Sequence, residues 1–283
     1  MQCKKGKVRP AYIIVFILLL IISIAMLIPY LYGFNISLMK NGRAFMNDTT
    51  HIPVPPYFIN YVKAFEELTL SDNTFLMMTF NSLWYAAGSA VCEILSSTLA
   101  AYIICKYKFR GRNFLYSMAI IIMMIPIYGN LPAKFKLFSD MKLVNSPLIL
   151  ISMLSGFGGM FIYIYAFFKS VSWAYAESAF IDGATHLQVF LLIMFPMVFP
   201  SVTAMAVISF INYWNDYMGP LMFLSNLPTL SSGLILYERK IQYTANQPVY
   251  FAGVMLSLIP ILAIFALLQN TIMNNVYVGG LKG

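Results

Sequence analysis

The stretch Ala174–Pro200, AYAESAFIDGATHLQVFLLIMFPMVFP, has a polar first half and an almost wholly apolar second half. The first half contains Glu177 and the pair Asp182-Gly183. Because glycine readily adopts the left-handed backbone that ends many helices, this pair predicts that a short helix closes there. The apolar half then begins a second helix. The stretch therefore predicts a short helix, a sharp turn and entry into a membrane.

The short helix has one apolar face, on which Trp173, Ala176 and Phe180 fall at helical spacing. Such a helix suits insertion into the groove of a partner protein. It equally suits a position on the bilayer surface, with Glu177 and Asp182 solvated. An acid–base pair is not favoured, because five residues of helix separate these two carboxylates in direction and no nucleophile accompanies them. The pattern leaves docking and bilayer contact open.

The composition predicts an integral membrane protein. Of 283 residues, 60% are hydrophobic and 10% are charged, whereas soluble domains have about 25% charged residues. The net charge of +8 comes from lysines and arginines clustered at the ends of apolar runs, which is typical of topology signals. We therefore expect membrane lipid, and no nucleic acid, as a partner.

Six apolar segments are long enough to span a bilayer, which predicts an all-α, polytopic membrane protein with a single transmembrane domain over residues 1–283. The predicted spans are residues 11–33, 79–105, 114–131, 147–168, 190–213 and 250–272. Residues 171–189 form the link between the fourth and fifth spans.

Two dense basic clusters predict the orientation. They are Lys4, Lys5, Lys7 and Arg9, before the first span, and Lys106, Lys108, Arg110 and Arg112, between the second and third. By the positive-inside rule both clusters, the 171–189 link and both termini are cytoplasmic. Residues 35–78, 132–146 and 216–249 are then outside, the first of them with a short amphipathic helix. The chain is expected in the cell membrane of a bacterium or archaeon.

The sequence has none of the common catalytic motifs. It lacks a phosphate-binding G-x-x-x-x-G-K-[ST] loop, an H-E-x-x-H motif and a G-x-S-x-G motif, so we expect no enzyme activity from this chain. Cys3, Cys92 and Cys105 are expected to be free thiols, and no metal site is predicted. His51 and His186 are interpreted as ordinary loop residues.

Glu93 lies near the middle of the second predicted span. A charge there costs roughly 2.5–3.5 kcal/mol unless it is paired or hydrated. Glu93 either lines a polar translocation path or forms hydrogen bonds that stabilise helix packing, and the sequence leaves both open.

The motif AESAFIDGA, followed by spaced apolar residues and prolines, resembles the EAA loop of ATP-binding-cassette (ABC) importer permeases. Glu177, Ala179, Asp182, Gly183 and Ala184 match that pattern. Ser178 stands where a small alanine is usual, a departure that keeps the volume small.

Further segments resemble the carbohydrate-type, maltose-like permeases of type I ABC importers. These are LAAY with the basic turn KYKFRGR, NYWNDYMGPL (Asn212–Leu221), TLSSGL (Thr229–Leu234) and the terminal GGLKG. The resemblance runs from about Thr79 to the end of the chain, in order.

The resemblance implies a permease subunit that moves a sugar or oligosaccharide. The implied partners are a second homologous permease, an ATPase dimer that binds ATP and Mg, and an extracellular solute-binding protein; this chain itself would hold no cofactor. The EAA loop would dock on the ATPase. The tail would also contact it, through Gly279, Gly280, Leu281, Lys282 and Gly283.

Candidates for lining the translocation path are Glu93, Asn212, Trp214 and Asn215. Two alternatives remain at this point. One is an ABC permease for a non-sugar solute, and the other is an ion-coupled secondary carrier that uses Glu93.

Overall fold

A computed structural model describes residues 10–70, 72–125, 131–244 and 246–276. Within them the chain divides into two compact units. Unit 1 comprises residues up to Thr69 together with Leu236–Leu258, and unit 2 comprises Leu70–Ile235 together with residues from Ile259 onward.

In the described residues the regular secondary structure is helical, apart from one isolated bridge between Leu70 and Asn73, which confirms the all-α fold class. The α-helices are α1 (Pro10–Ser37), α2 (Gly42–Asn47), α3 (Ile59–Glu67), α4 (Phe75–Lys106), α5 (Arg112–Met124), α6 (Leu131–Asp140), α7 (Phe161–Ser170), α8 (Ala174–Ile181), α9 (His186–Val189), α10 (Phe195–Asn215), α11 (Met218–Phe223), α12 (Leu230–Thr244) and α13 (Gln247–Val276).

Among the described residues, four helices are long and apolar enough to cross a bilayer: Tyr12–Ser37, Phe75–Lys106, His186–Asn215 and Gln247–Gln269. They correspond to the first, second, fifth and sixth predicted spans. The third predicted span, residues 114–131, corresponds to α5, which ends at Met124. Residues 126–130 lie outside the described residues.

The prediction of one continuous fourth span over residues 147–168 is wrong. A 3₁₀ helix occupies Pro147–Met153, residues 154–160 are not helical, and α7 begins only at Phe161. The break contains Gly156, Gly158 and Gly159, and glycine loses more backbone freedom in a helix than any other residue.

The broken segment also crosses close to α4. A Cβ atom on Gly156 would lie 3.2 Å from the Cβ of Ala100, and one on Gly158 would lie 3.1 Å from Oε1 of Glu93. Glycine thus both interrupts the helix and permits this approach.

The segments predicted as outer loops contain helices of their own. α3 is the predicted amphipathic helix of the first loop, whereas α6 and α12 were not predicted. In unit 1, the side-chain amide of Asn60 on α3 donates to the carbonyl oxygens of Ser37 and Met39, which fixes α3 to the end of α1.

The core of unit 2 lies where α4 packs against α7 and the 186–215 helix. The α4 residues that face this core include Ala86, Ser89, Ala90, Ser97 and Ala101, all buried. Small residues let membrane helices approach closely, which is the main source of packing between them in lipid.

The 186–215 helix contains one turn of π-helix, Phe190–Met194, between α9 and α10. Pro196 follows it, and a proline ring clashes with the carbonyl four residues earlier, here that of Leu192. The wider π turn accommodates that clash, so the helix continues through the proline.

Candidate functional site

The turn predicted at Asp182-Gly183 closes α8. Gly183 has a φ of 85°, in the left-handed region. The N–H of Ala184 donates to the Ala179 carbonyl at 2.9 Å, and the N–H of Gly183 donates to the Phe180 carbonyl at 3.1 Å. This pair of bonds is the Schellman motif, which satisfies the last carbonyls of a helix. A Cβ at Gly183 would have open space around it, so any substitution there is opposed by the backbone alone.

The next helix, α9, begins at His186, and its N-terminus is capped by side chains. The Thr185 hydroxyl accepts the N–H of Gln188, and the side-chain oxygen of Gln188 accepts the N–H of Thr185 at 2.8 Å. This capping box leaves Gly183 and Ala184 as the only residues between the C-cap of α8 and the N-cap of α9. The α8–α9 link is therefore a defined corner.

α8 has one buried face and one open face. Ala176 and Ala179 are buried in the core of unit 2, whereas Glu177 and Ser178 are exposed. Ile181, the last residue of α8, is 86% exposed. The alanines of the motif hold α8 in place, and its polar residues and Ile181 remain available.

Four rings, Tyr107, Trp173, Phe180 and His186, form what we call the aromatic clamp. Tyr107 lies 5.8 Å from Trp173, Trp173 lies 6.0 Å from Phe180, and Phe180 lies 4.8 Å from His186, between ring centroids. The Tyr107 hydroxyl and Nδ1 of His186 share a 3.0 Å hydrogen bond. The interpretation of His186 as an ordinary loop residue was wrong: it closes the ring of contacts that holds α8.

The clamp places the basic turn after α4 beside α8. Lys106, the last residue of α4, donates to the carbonyl of Val171, just before α8. Tyr102, one turn earlier, contacts the rings of Phe168 and Phe190. The end of α4 and the 171–189 link are thus at the same end of unit 2, as the predicted topology requires.

Glu93 is half-buried and bound across the helix pair. The hydroxyl of Ser209 on α10 donates to Oε2 of Glu93, and the Tyr213 hydroxyl is in hydrogen-bonding contact with the same carboxylate. Gly158 approaches its other oxygen. Of the two interpretations left open by the sequence, these contacts favour the packing role.

A second polar connection, which was not predicted, lies at the other end of α4. The hydroxyl of the buried Tyr85 donates to Oδ2 of Asp216 at 3.0 Å, and the N–H of Gly219 donates to Oδ1 at 3.0 Å. The Tyr85 ring meets the ring of Tyr213 edge-on, 6.1 Å between centroids. Tyr85 and Asp216 therefore join α4 to the end of α10.

The remaining path candidates lie near that end but differ in exposure. Asn212 and Asn215 are exposed, and the Asn215 amide donates to the Ile211 carbonyl at 2.8 Å. Trp214 is buried, stacks on Phe210 and accepts the Ser231 hydroxyl at its carbonyl.

The predicted ATPase-contacting tail, Gly279–Gly283, lies outside the described residues. Within the described residues no group of three or more His, Cys, Asp or Glu side chains could hold a metal ion. In unit 1, residues 39–57, which connect α1 to α3 and include Ala44 of α2, line a cavity of about 280 Å³. At its edge the hydroxyl and N–H of Thr50 donate to Asp48 and lower the pKa of that carboxyl.

Most of unit 2 matches a known protein family. Residues 94–273 match the family described as "Binding-protein-dependent transport system inner membrane component". The matched region contains Glu93's neighbour Ile94, all of α8 and most of α13.

The relatives include several named transport proteins. The chain is 30% identical to an arabinooligosaccharides transport system permease protein of Halalkalibacterium halodurans, covering 87% of this chain and 85% of that protein. It is 27% identical to a sulfoquinovosyl glycerol transport system permease protein of Agrobacterium fabrum, covering 91% and 89%. It is 24% identical to a diacetylchitobiose uptake system permease protein of Streptomyces coelicolor, covering 93% and 86%.

A solved structure has the same fold. A chain from the crystal structure of a bacterial ABC transporter involved in the import of the acidic polysaccharide alginate superposes with a TM-score of 0.76 at 22% identity. The match covers 94% of this chain and 99% of that one.

Proposed function

Since the chain belongs to the family of binding-protein-dependent transport system inner membrane components, a multi-pass permease subunit of an ABC importer, we propose that its transported solute is a sugar or oligosaccharide. The support is the agreement among the relatives named above: arabinooligosaccharides, sulfoquinovosyl glycerol and diacetylchitobiose all contain a sugar unit. A non-sugar solute is the competing proposal. The ion-coupled carrier is not, because membership of the family assigns the energy source to an ATPase.

The geometry of α8 carries the coupling part of the proposal. Its alanine face is fixed in unit 2, its C-terminal end is closed by the turn at Gly183, and Trp173 in the aromatic clamp holds its N-terminal end. Glu177, Ser178 and Ile181 project from the open face. A short helix held this way transmits force from a partner that grips it, because neither end can yield independently. We propose that this face enters a cleft of the ATPase, with Asp182, Gly183 and Ala184 shaping the turn. Contact of this face with the bilayer surface is the competing interpretation.

The proposed assembly has further parts. A second, homologous permease would complete the membrane passage, and a solute-binding protein would meet the outer loops. The ATPase dimer would hold ATP and Mg, and this chain would hold no cofactor. The 171–189 link and both termini would be cytoplasmic, and the tail Gly279–Gly283 would reach the ATPase.

For the translocation path we propose different roles for the candidate residues. The exposed amides of Asn212 and Asn215 can present donors and acceptors to sugar hydroxyls. Glu93 is already bonded to Ser209 and Trp214 is buried, so we assign both to helix packing.

The substrate class is tested in proteoliposomes that contain the purified transporter and its solute-binding protein. Oligosaccharides should stimulate ATP hydrolysis and accumulate inside, whereas amino acids, polyamines and phosphate should do neither. Glu177→Lys, which reverses charge on the open face of α8, serves as the uncoupled control. Stimulation by a non-sugar solute, with sugars inert, would refute the sugar assignment and leave the family assignment standing.

A further inference from the structure

The turn between α4 and α5 is strongly basic and has no acidic neighbour in sequence. Lys106, Lys108, Arg110 and Arg112 lie within it, whereas residues 94–139 contain no Asp or Glu. Lys106 is engaged by the Val171 carbonyl. Among the described residues, the side chains of the other three form no hydrogen bond.

Two of these cations, Lys108 and Arg112, line an open pocket. Its volume is about 470 Å³, and Lys108, Arg112, Gly111, Phe109 and Phe114 line it, together with Asn113. Lys108 is exposed and Arg112 is half-buried. The pocket therefore concentrates positive charge where two apolar rings also face outward.

The start of α5 adds to the same charge. Its N-cap is Gly111, with a φ of 91° and no side chain to cap the helix, and its first turn has no acidic residue. The uncapped N–H groups of a helix N-terminus attract anions. The positive charge of Arg112 at this positive end of the helix is unfavourable unless an anion neutralises the side chain and the helix N-terminus together.

An apolar stripe leads away from the pocket along α5. Phe114, Met118, Ile121 and Ile125 follow one another at spacings of four, three and four residues, and each is at least 40% exposed. An anionic headgroup in the pocket would leave its acyl chain along this stripe, with the Phe109 and Phe114 rings at the interface.

We propose that the pocket at Lys108–Arg112 binds the phosphate of an anionic phospholipid, whose acyl chain lies on the α5 stripe. The proposal rests on the membrane placement given under the proposed function and adds a ligand next to the coupling loop. Because Tyr107, adjacent to Lys108, belongs to the aromatic clamp, the bound lipid would lie directly beside α8. A polybasic site attracts anionic lipid by about fivefold per cation near the surface.

The test is native mass spectrometry of the purified transporter, taken from nanodiscs of phosphatidylcholine with or without phosphatidylglycerol. We expect phosphatidylglycerol to be retained in preference to phosphatidylcholine. The double variant Lys108→Gln, Arg112→Gln should weaken that retention roughly 30-fold, the product of two such contributions. The matched control, Lys63→Gln with Lys136→Gln, removes the same charge elsewhere and should leave retention unchanged.

A charge-preserving variant distinguishes loss of charge from misfolding. Lys108→Arg with Arg112→Lys should bind phosphatidylglycerol as the parent does, and loss of binding in this variant would contradict the proposal. Equal retention by the parent and the glutamine variant would overturn it, as would displacement of the lipid by millimolar inorganic phosphate, which would identify a free-phosphate site. Absence of lipid because the second permease covers the stripe would also overturn it. None of these readouts depends on which solute is transported.

Discussion

The two ends of α4 are joined to the 186–215 helix by different chemistry. At the end near Lys106, four rings close the aromatic clamp, and one hydrogen bond between Tyr107 and His186 supplements them. At the other end the hydroxyl of a buried phenol, Tyr85, donates to the carboxylate of Asp216, and the Tyr85 ring also meets the Tyr213 ring edge-on.

The difference follows from the surroundings. Ring contacts supply a large apolar area, so they can hold α8 firmly where it meets water and a partner, without leaving a buried polar group unpaired. Inside the bundle each polar group needs a partner, and a hydrogen bond in low dielectric is stronger and more directional. The clamp therefore suits an element that receives force, and the Tyr85–Asp216 bond suits an element that fixes register.

The largest effect is expected at the turn that the clamp supports. Gly183→Val places a β-branched residue at a φ of 85°, where an L-residue costs about 1–2 kcal/mol or more. Solute uptake should fall by about tenfold or more, because the corner that positions α8 is lost, while the amount of chain in the membrane should not change.

Two variants control for this substitution. Gly183→Asn should retain most uptake, since asparagine tolerates the left-handed region. Gly159→Ala, at a glycine with open space and no left-handed φ, should be neutral. Normal uptake by Gly183→Val would show that the corner does not need this conformation.

Tyr107→Ala should have the next largest effect. Removing the ring breaks contacts with Trp173 and His186 together, which should lower stability by about 2–3 kcal/mol, less than truncation of a fully buried aromatic residue because Tyr107 is half-buried. Thermal unfolding in detergent measures it, and the emission of Trp173, in a background where Trp84 and Trp214 are Phe, reports opening of the clamp.

Tyr107→Phe keeps the ring and removes only the hydroxyl that bonds His186. If rings dominate this end, it should cost about 0.5–1 kcal/mol. A cost equal to that of Tyr107→Ala would mean that the hydrogen bond, and not the rings, holds the loop.

Glu93 extends the comparison to the middle of α4. Glu93→Leu should destabilise by about 1–3 kcal/mol, because it leaves the hydroxyls of Ser209 and Tyr213 without their acceptor. Glu93→Gln retains an acceptor and should cost less, with an unchanged KM for uptake. A changed KM with unchanged stability would favour the translocation-path role instead.

Tyr85→Phe tests the other end of α4, with an effect smaller than that of Tyr107→Ala. Losing a hydrogen bond to a carboxylate costs about 1.5 kcal/mol, which lowers the unfolding midpoint by about 3 °C in a chain of this size. Tyr163→Phe, an exposed tyrosine, is the matched control. If both substitutions are neutral, the contrast between the two ends of α4 is wrong.

The sequence predicted the features that are encoded locally. Helix propensity, apolar runs and the Asp182-Gly183 pair depend on neighbours within one turn, so α8, its closing turn and the long spans were predictable. The broken fourth span was not, although Gly156, Gly158 and Gly159 were a visible signal. The length of the apolar run predicted a span in spite of these glycines. Their role depends on the close approach to α4, which the sequence does not show.

Contacts between residues far apart in the sequence were not predictable. Tyr85 and Asp216 are 131 positions apart, and Tyr107 and His186 are 79 apart, so no spacing pattern links them. A local signal existed only for His186, which lies just after the Thr185 cap at the start of a helix. The position of Glu93 within a span predicts that its carboxylate needs a hydrogen-bond partner. The sequence does not identify Ser209 as that partner.

The central claim, that the open face of α8 docks on the ATPase, is tested most directly by co-purification. Ile181→Asp places a charge on an apolar side chain that is 86% exposed, and Val54→Asp does the same at a residue 85% exposed in the first loop of unit 1. The transporter is isolated through a tag on this chain, and the ATPase that accompanies it is quantified. We expect Ile181→Asp to lose most of the ATPase and Val54→Asp to retain it. Full retention by Ile181→Asp, or equal loss from both variants, would contradict docking through α8.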